Sequence, residues 1–478
     1  MGILSNTKWV AISQLFKIGV QLLNIVVLAR LIPPSEYGLM AMALVITNFA
    51  TLIRDLGTSA AIIQKRDLGN RTINAIFWLN VMMGFCISVI IIILSPFISY
   101  LFHEEKLVYV LCLLSISFPL ASSSSSHLAL LERASKFKSI AFIEISSSVT
   151  AVIIAILMAY ANWGVYSLVG QAITLSFMST LLLWGKSRWR PDFKKIIDWS
   201  EIKGLLGFSG NLTVFNFINY FSRNADSMII GHYMTSTILG AYSLAYRVML
   251  FPIQNLTFVI TRALFPVFST YQDDDIQLKK SYLNTLYYIL LLVLPLMIGL
   301  MALSEPFVKL VFGDKWHNTA LILAWLAPTG IIQAVLSTSG TIFMAKGKTN
   351  LLMKLGIVGA ILQVGAFIIG SQYDIITFAK LYFIANVINF FPVMLCVMHC
   401  IKGTLFELFK KIYPLFVCVT FMFFAINNLF IKIPFLASID SLLKLFLISF
   451  FAGTVYGIIT LCINPRMVVL IFKKLKSV

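Results

Sequence analysis

Apolar stretches of about 20 residues or more, each bounded by charge, Pro or Gly, recur along the whole of this 478-residue sequence. A stretch of that length crosses the hydrocarbon of a bilayer as a helix, which pairs its own backbone donors and acceptors where no water can. Hydrophobic residues make up 59% of the chain and charged residues only 12%, which removes a soluble globular domain from consideration. Six spans are expected near residues 9–29, 37–63, 72–95, 107–129, 139–160 and 163–184. Six more fall near 208–232, 239–265, 281–303, 318–345, 350–370 and 375–399, and two follow near 412–431 and 440–462. The expectation is an all-α integral membrane protein of about 14 transmembrane helices.

The charges test that count independently, because Lys and Arg collect in cytoplasmic loops. With the N-terminus inside, alternate connections hold Lys65, Arg66 and Arg71, then Arg133, Lys136 and Lys138, then Lys186 to Lys203, Lys279 and Lys280, Lys346 and Lys348, Lys402 to Lys411, and the basic tail. The opposite connections hold little beyond Arg30, Lys106, Lys309, Lys315 and Lys432. Both termini are therefore expected in the cytoplasm. The net charge of +18 reads as topological signal and anionic-lipid attraction, with no nucleic-acid partner required. The N-terminus lacks the pattern of a cleaved secretory signal and is read as a retained first helix. The six cysteines lie in or at the ends of apolar spans, so no disulfide is expected.

A polar stripe breaks the apolar pattern twice. Gln14, Lys17, Gln21 and Asn24 recur, on adding 202, as Asn216, Asn219, Arg223 and Asp226, and the same offset carries Gly38 onto Gly240. Spacings of three and four put each set on one helical face, which cannot look at lipid without heavy cost. Duplication of a six-span unit follows, with both halves in the same orientation. The expected organisation is an N-lobe over 1–185, a basic linker over 186–206, a C-lobe over 207–401, and an appendage over 402–478.

Charges inside spans mark a pathway or a site. The candidates for substrate binding are Lys17, Gln21, Asn24, Arg54, Asn216, Asn219, Arg223, Arg247 and Arg262, and those for ion coupling are Asp55, Asp226 and Glu144. Lys17 and Arg247 have no acid one turn away, so a water-filled, ligand-binding cavity with excess positive charge is expected around them. Simpler readings stay open for others. Arg262 can snorkel, Arg223 and Asp226 can satisfy each other at i and i+3, and Glu144 is either a cavity counter-ion or an interfacial cap. Ser122 to Ser126 and Ser146 to Ser148 offer small surfaces for close helix contact or a hydroxyl-lined path. Asp273 to Asp275 read as a solvated loop, and Cys396, His399 and Cys400 as packing near a helix end, so no metal is expected.

Several segments together resemble the Wzx-type polysaccharide flippases of the multidrug/oligosaccharidyl-lipid/polysaccharide exporter superfamily, of the colanic-acid exporter type. They are Leu28-Ala-Arg-Leu-Ile-Pro-Pro-Ser-Glu-Tyr-Gly-Leu39, Asp55-Leu-Gly57 running to Gln64, Ile260-Thr-Arg-Ala-Leu-Phe-Pro-Val-Phe268, and Val311-Phe-Gly-Asp-Lys-Trp316. The resemblance implies two six-helix lobes around a central cavity, two extra C-terminal helices, and movement of an undecaprenyl-pyrophosphate-linked oligosaccharide across the bacterial inner membrane. It implies a transporter rather than an enzyme, with no cofactor beyond a coupling H+ or Na+. The expected partners are that substrate, membrane lipids, and a polysaccharide polymerase with its chain-length machinery. Two alternatives are kept: a drug/cation antiporter of the same fold, which calls for an acidic or apolar cavity, and a membrane-embedded glycosyltransferase or polymerase, which calls for a sizeable extramembrane loop.

Overall fold

In the computed structural model the described residues are 3–54, 62, 69–193, 210–271, 273–432 and 441–463. Nearly all of them are helical. Eleven of the described helices are long and apolar enough to cross a membrane, and the protein is a multi-pass membrane protein. Three further helices, Ile3–Leu31, Gly210–Tyr233 and Ser236–Thr270, fall on expected spans but outside those eleven. They are the ones that carry Lys17, Arg223 with Asp226, and Arg247 with Arg262.

Contacts divide the chain into two compact units, 1–240 and 241–478. The first holds α1 (Ile3–Leu31), α2 (Pro34–Arg54), α3 (Asn70–Phe102), α4 (Lys106–Ser115), α5 (Ser117–Arg133), α6 (Phe137–Tyr160), α7 (Val165–Lys186) and α8 (Gly210–Tyr233). It ends in the first turn of α9 (Ser236–Thr270), which continues into the second unit. The fourth expected span is broken into α4 and α5 at Ile116, and Pro119 gives the reason. Its ring clashes with the carbonyl of Ser115 and it has no amide to donate there. Within this unit α6 packs on α1 and α7, α3 on α4 and α5, and α2 on α8.

Large apolar side chains on the outer faces stay exposed, as lipid requires. On α3, Met82, Phe85, Val89 and Ile93 repeat at helical spacing and are all exposed. The helices alternate in direction. One end of the unit gathers Arg71, Arg133, Lys136, Lys138, Lys186, Arg188 and Arg190; the other holds Glu36, Glu104, Glu105 and Lys106.

That less basic end is tied together by the segment Leu28 to Leu39. The Glu36 carboxylate accepts from Lys106 Nζ at 3.2 Å and from the Val165 amide at 2.9 Å, so it supplies an anion to the otherwise uncapped start of α7. Gly38 and Gly240 allow the closest approach. A Cβ on Gly38 would meet the Ser236 carbonyl oxygen at 1.8 Å, and one on Gly240 would meet that of Pro34 at 1.9 Å. The offset that carries Gly38 onto Gly240 also carries Pro34 onto Ser236, so the two contacts are one contact made twice.

The second unit holds the rest of α9, then α10 (Asp275–Ala302), α11 (Ser304–Phe312), α12 (His317–Ala345), α13 (Thr349–Gly370), α14 (Ile375–Cys400), α15 (Leu405–Lys432) and α16 (Ser441–Ile463). Its centre is α12, packed against α10 and α14, with Leu323, Leu326, Ala327, Ala334 and Phe343 fully buried. Between α11 and α12, Gly313 sits at φ +97°, a conformation only glycine adopts without strain, and turns the chain so that Trp316 is fully buried.

The acidic cluster is more than a solvated loop. Asp274 caps α10 through the amides of Ile276 and Gln277, and Asp275 pairs with Lys346 at 2.6 Å and Lys402 at 2.8 Å. With Lys279 bound to Glu407 at 3.2 Å, these pairs join three connections at the basic end of the unit. Spacing along the sequence gave no sign of it, because each partner comes from a distant connection.

Candidate functional site

A cavity of about 510 Å³ opens inside the first unit, lined by four helices. From α1 come Lys17, Gln21 and Asn24, which are three of the four members of the first stripe, on one face as their spacing requires. Ser124 of α5, Glu144 and Ser147 of α6, and Gln171 and Ser179 of α7 complete its polar wall. Gln14, one turn before Lys17, is exposed and does not line it.

The electrostatics differ from the expectation. Lys17 Nζ lies 2.6 Å from Glu144 Oε2, with both side chains about two-fifths exposed to the cavity. The expectation of an unpaired cation at Lys17 is therefore corrected, since its acid comes from another helix rather than the next turn. Glu144 is the counter-ion of its two readings. The cavity wall is close to neutral, one cation against one carboxylate among amides and hydroxyls, rather than cationic. Two of its polar atoms, Asn24 Oδ1 and Ser147 Oγ, are buried without a hydrogen-bond partner. Such atoms carry an unmet desolvation cost that a polar ligand can relieve.

The other candidates do not converge here. Arg54 ends α2 away from the cavity. On α8, Arg223 is exposed, while Asp226 is buried and accepts the Ser227 amide at 2.6 Å. Arg247 is half-buried on the part of α9 that belongs to the second unit. The side chains of Asn216, Asn219 and Arg262, and the whole of Asp55, lie outside the described residues. Gln171, Ser176 and Ser179 are the site residues the sequence reading missed. Their signal was available, since three polar residues in one apolar span are the same anomaly as the stripe of α1.

The serine run does two jobs. Ser124 faces the cavity, while Ser125 accepts from Asn80 Nδ2 at 3.0 Å and holds α5 against α3. The carbonyls of Leu120 and Ser123 accept from Thr180 Oγ1 at 2.9 Å and Trp184 Nε1 at 3.1 Å, which fixes α7 beside them. Helix contact and polar lining come from neighbouring positions of one segment.

Residues 27–321 match the model of a family described as polysaccharide biosynthesis protein. The chain belongs to that family. It is 27% identical to the teichuronic acid biosynthesis protein TuaB of Bacillus subtilis (strain 168), over 86% of this chain and 85% of that one. It is 29% identical to the lipopolysaccharide biosynthesis protein WzxC of Escherichia coli (strain K12), over 77% and 75% of the two chains. Its fold is similar to that of the lipid II flippase MurJ in an inward closed conformation, with a TM-score of 0.74 and 15% identity over 96% of this chain and 99% of that one. In this polysaccharide biosynthesis protein the match begins one residue before the segment Leu28 to Leu39, whose Glu36 and Gly38 hold the less basic end together.

Proposed function

We propose that this protein carries a lipid-linked oligosaccharide, on undecaprenyl pyrophosphate, from the cytoplasmic to the outer leaflet of a bacterial inner membrane. The observation that carries the reading is the cavity of Lys17 and Glu144: polar, large and built from membrane-spanning helices of a polysaccharide biosynthesis protein. Sugar hydroxyls suit its amides and serines, and a phosphate oxygen suits Lys17. A membrane-embedded glycosyltransferase or polymerase calls for a sizeable extramembrane loop, and the described connections between spans are short. Both termini lie in the cytoplasm on this reading, supported by the Lys and Arg distribution.

The ion pair suggests how binding couples to movement. An arriving pyrophosphate draws Lys17 away from Glu144, and the carboxylate, now facing phosphate charge, is neutralised by a proton or a sodium ion. Binding of the anion and binding of the cation then favour each other, as linkage requires. Release on the far side restores the pair, and the two lobes rock between the states.

Reconstitution of the purified protein in vesicles with a defined lipid-linked oligosaccharide tests this, scored by access of an impermeant glycan-cleaving enzyme to the opposite leaflet. Lys17→Gln is expected to slow transfer about tenfold or more, the scale for loss of a charge-assisted contact. Glu144→Gln is expected to bind substrate yet lose dependence on the ion gradient. Transfer by Lys17→Gln at the parental rate would sink the proposal.

A further inference from the structure

A second cavity, of about 500 Å³, lies at the basic end of the first unit, away from Lys17 and Glu144. Three arginines line it: Arg71 from the first turn of α3, and Arg188 and Arg190 from the segment that follows α7. Asn70, Trp189 and Asp192 complete the polar and aromatic wall.

The segment is clamped rather than loose. Asn74 exchanges two hydrogen bonds with the backbone of Asp192, accepting from its amide at 2.8 Å and donating to its carbonyl at 3.1 Å. Trp78 Nε1 donates to the same carbonyl at 3.0 Å. Trp189 packs inward, its ring 5.5 Å from Phe77 and 5.4 Å from His127. With Trp189 turned to the core, Arg188 and Arg190 flank it at fixed places. Arg190 Nη1 is held by the carbonyls of Ser187 at 2.6 Å and Trp189 at 2.8 Å, and its guanidinium carbon sits 6.0 Å from the Trp184 ring. Arg71 and Arg188 make no hydrogen bond or ion pair among the described residues.

Three guanidinium groups against the one carboxylate of Asp192 leave two positive charges facing a space of ligand size. Their planar forks fit phosphate oxygens in pairs. The rim says what the phosphate is attached to. Trp78 and Phe193 meet edge to face at 5.2 Å, and Phe193 is 70% exposed. From Trp78 the exposed stripe of Met82, Phe85, Val89 and Ile93 runs along the same face of α3. Fifteen residues of helix rise about 22 Å, more than the roughly 15 Å of hydrocarbon in one leaflet. A phosphate held by the arginines thus has an aromatic collar and an apolar track beginning at its edge, the order of groups in a phospholipid or a polyprenyl phosphate.

We propose that the cavity of Arg71, Arg188 and Arg190 is a docking site for the phosphate headgroup of a lipid in the leaflet on the basic side, separate from the cavity of Lys17. The site stands on its own residues and does not depend on what is transported. Native mass spectrometry of the full-length protein tests it, with phosphatidylglycerol, undecaprenyl pyrophosphate, diacylglycerol and inorganic pyrophosphate as separate probes. One phosphatidylglycerol is expected to be retained per protein at this site. Replacing Arg71, Arg188 and Arg190 together by Gln is expected to weaken that binding about tenfold or more, while the triple Lys variant, which keeps the charge but not the planar forks, keeps only part of it. Tighter retention of phosphatidylglycerol assigns the site to a bulk lipid, and tighter retention of undecaprenyl pyrophosphate that the triple Gln variant loses assigns it to substrate capture; each supports the site. Diacylglycerol retained as well as the phosphate lipids, inorganic pyrophosphate competing as strongly as they do, or a folded Gln variant with parental binding would each overturn it. Should the Gln variant misfold, Asn74→Ala with the arginines intact serves instead, since loosening the clamp is expected to weaken lipid retention, and parental retention then counts against the site.

Discussion

Asp374 shows how much one side chain contributes at a helix end. It precedes α14, its carboxylate accepts from the Ile376 amide at 3.2 Å and from the Thr377 hydroxyl, and these hydrogen bonds, that of Thr377 foremost, hold its pKa below the usual carboxylate range. A depressed pKa in the folded state gives stability that is present above the unfolded value, near 4, and lost as pH falls through the folded one. Asp374→Ala is therefore expected to cost about 1 kcal/mol at neutral pH, with the difference from the parent shrinking below about pH 4. Thermal unfolding in detergent across pH 3 to 7 measures it, and a gap independent of pH would refute the assignment. Lys17 and Glu144 make the contrasting case. Lys17 was legible as a buried cation from its place in an apolar helix, but its partner is on α6, and no periodicity along α1 reveals that. A double-mutant cycle on Lys17→Met and Glu144→Leu is expected to give a coupling of about 1 kcal/mol, since a pair open to the cavity is partly screened.

At the scale of elements, the turn glycines carry the clearest consequence. Gly38 and Gly240 were marked by the repeat alone, as matching positions after matching helices. Their function is packing: each start of helix abuts the other's carbonyl, and a methyl group has nowhere to go. Gly38→Ala and Gly240→Ala are each expected to cost about 3 kcal/mol or more, the upper part of the overpacking range, because the obstructing atoms are backbone. Gly19→Ala on α1, where nothing lies within 4 Å, is expected to be neutral or stabilising by up to about 1 kcal/mol. Thermal-shift assays of the three variants decide it, and a tolerant Gly38 would contradict the close approach. Periodicity fixed the rest of this level well. Within the described residues the expected spans fall on helical segments, because apolar length is a local property, whereas the split of the fourth into α4 and α5 depends on the single residue Pro119.

For the whole molecule, the charge distribution makes a prediction about sidedness. In a background with the six native cysteines replaced, Lys106→Cys is expected to react with an impermeant maleimide applied outside intact cells, and Lys136→Cys only after permeabilisation. The reverse pattern would invert the proposed topology. The division of the chain also shows what a repeat does and does not determine. The offset of 202 matches α8 to α1, yet its contacts with α2 group it with residues 1–240. There Tyr220 donates its hydroxyl hydrogen to the Val45 carbonyl and packs beside Phe49. Likeness in sequence follows chain order, while compactness follows contact.

The sequence by itself determined that this chain lies in a membrane, where most of its described helices run, which ends are basic, that a polar stripe and a turn glycine recur at an offset of 202, and to which family it belongs. Each of these is written in local composition, periodicity or motif. Only the tertiary structure decided that Lys17 answers Glu144, that Gln171 and Ser179 join their cavity, that Glu36 anchors the start of α7, and that Arg71 shares one space with the distant Arg188 and Arg190. Those pairings join residues on different elements, and the register between two packed elements is set by how their side chains interlock, which neither records alone.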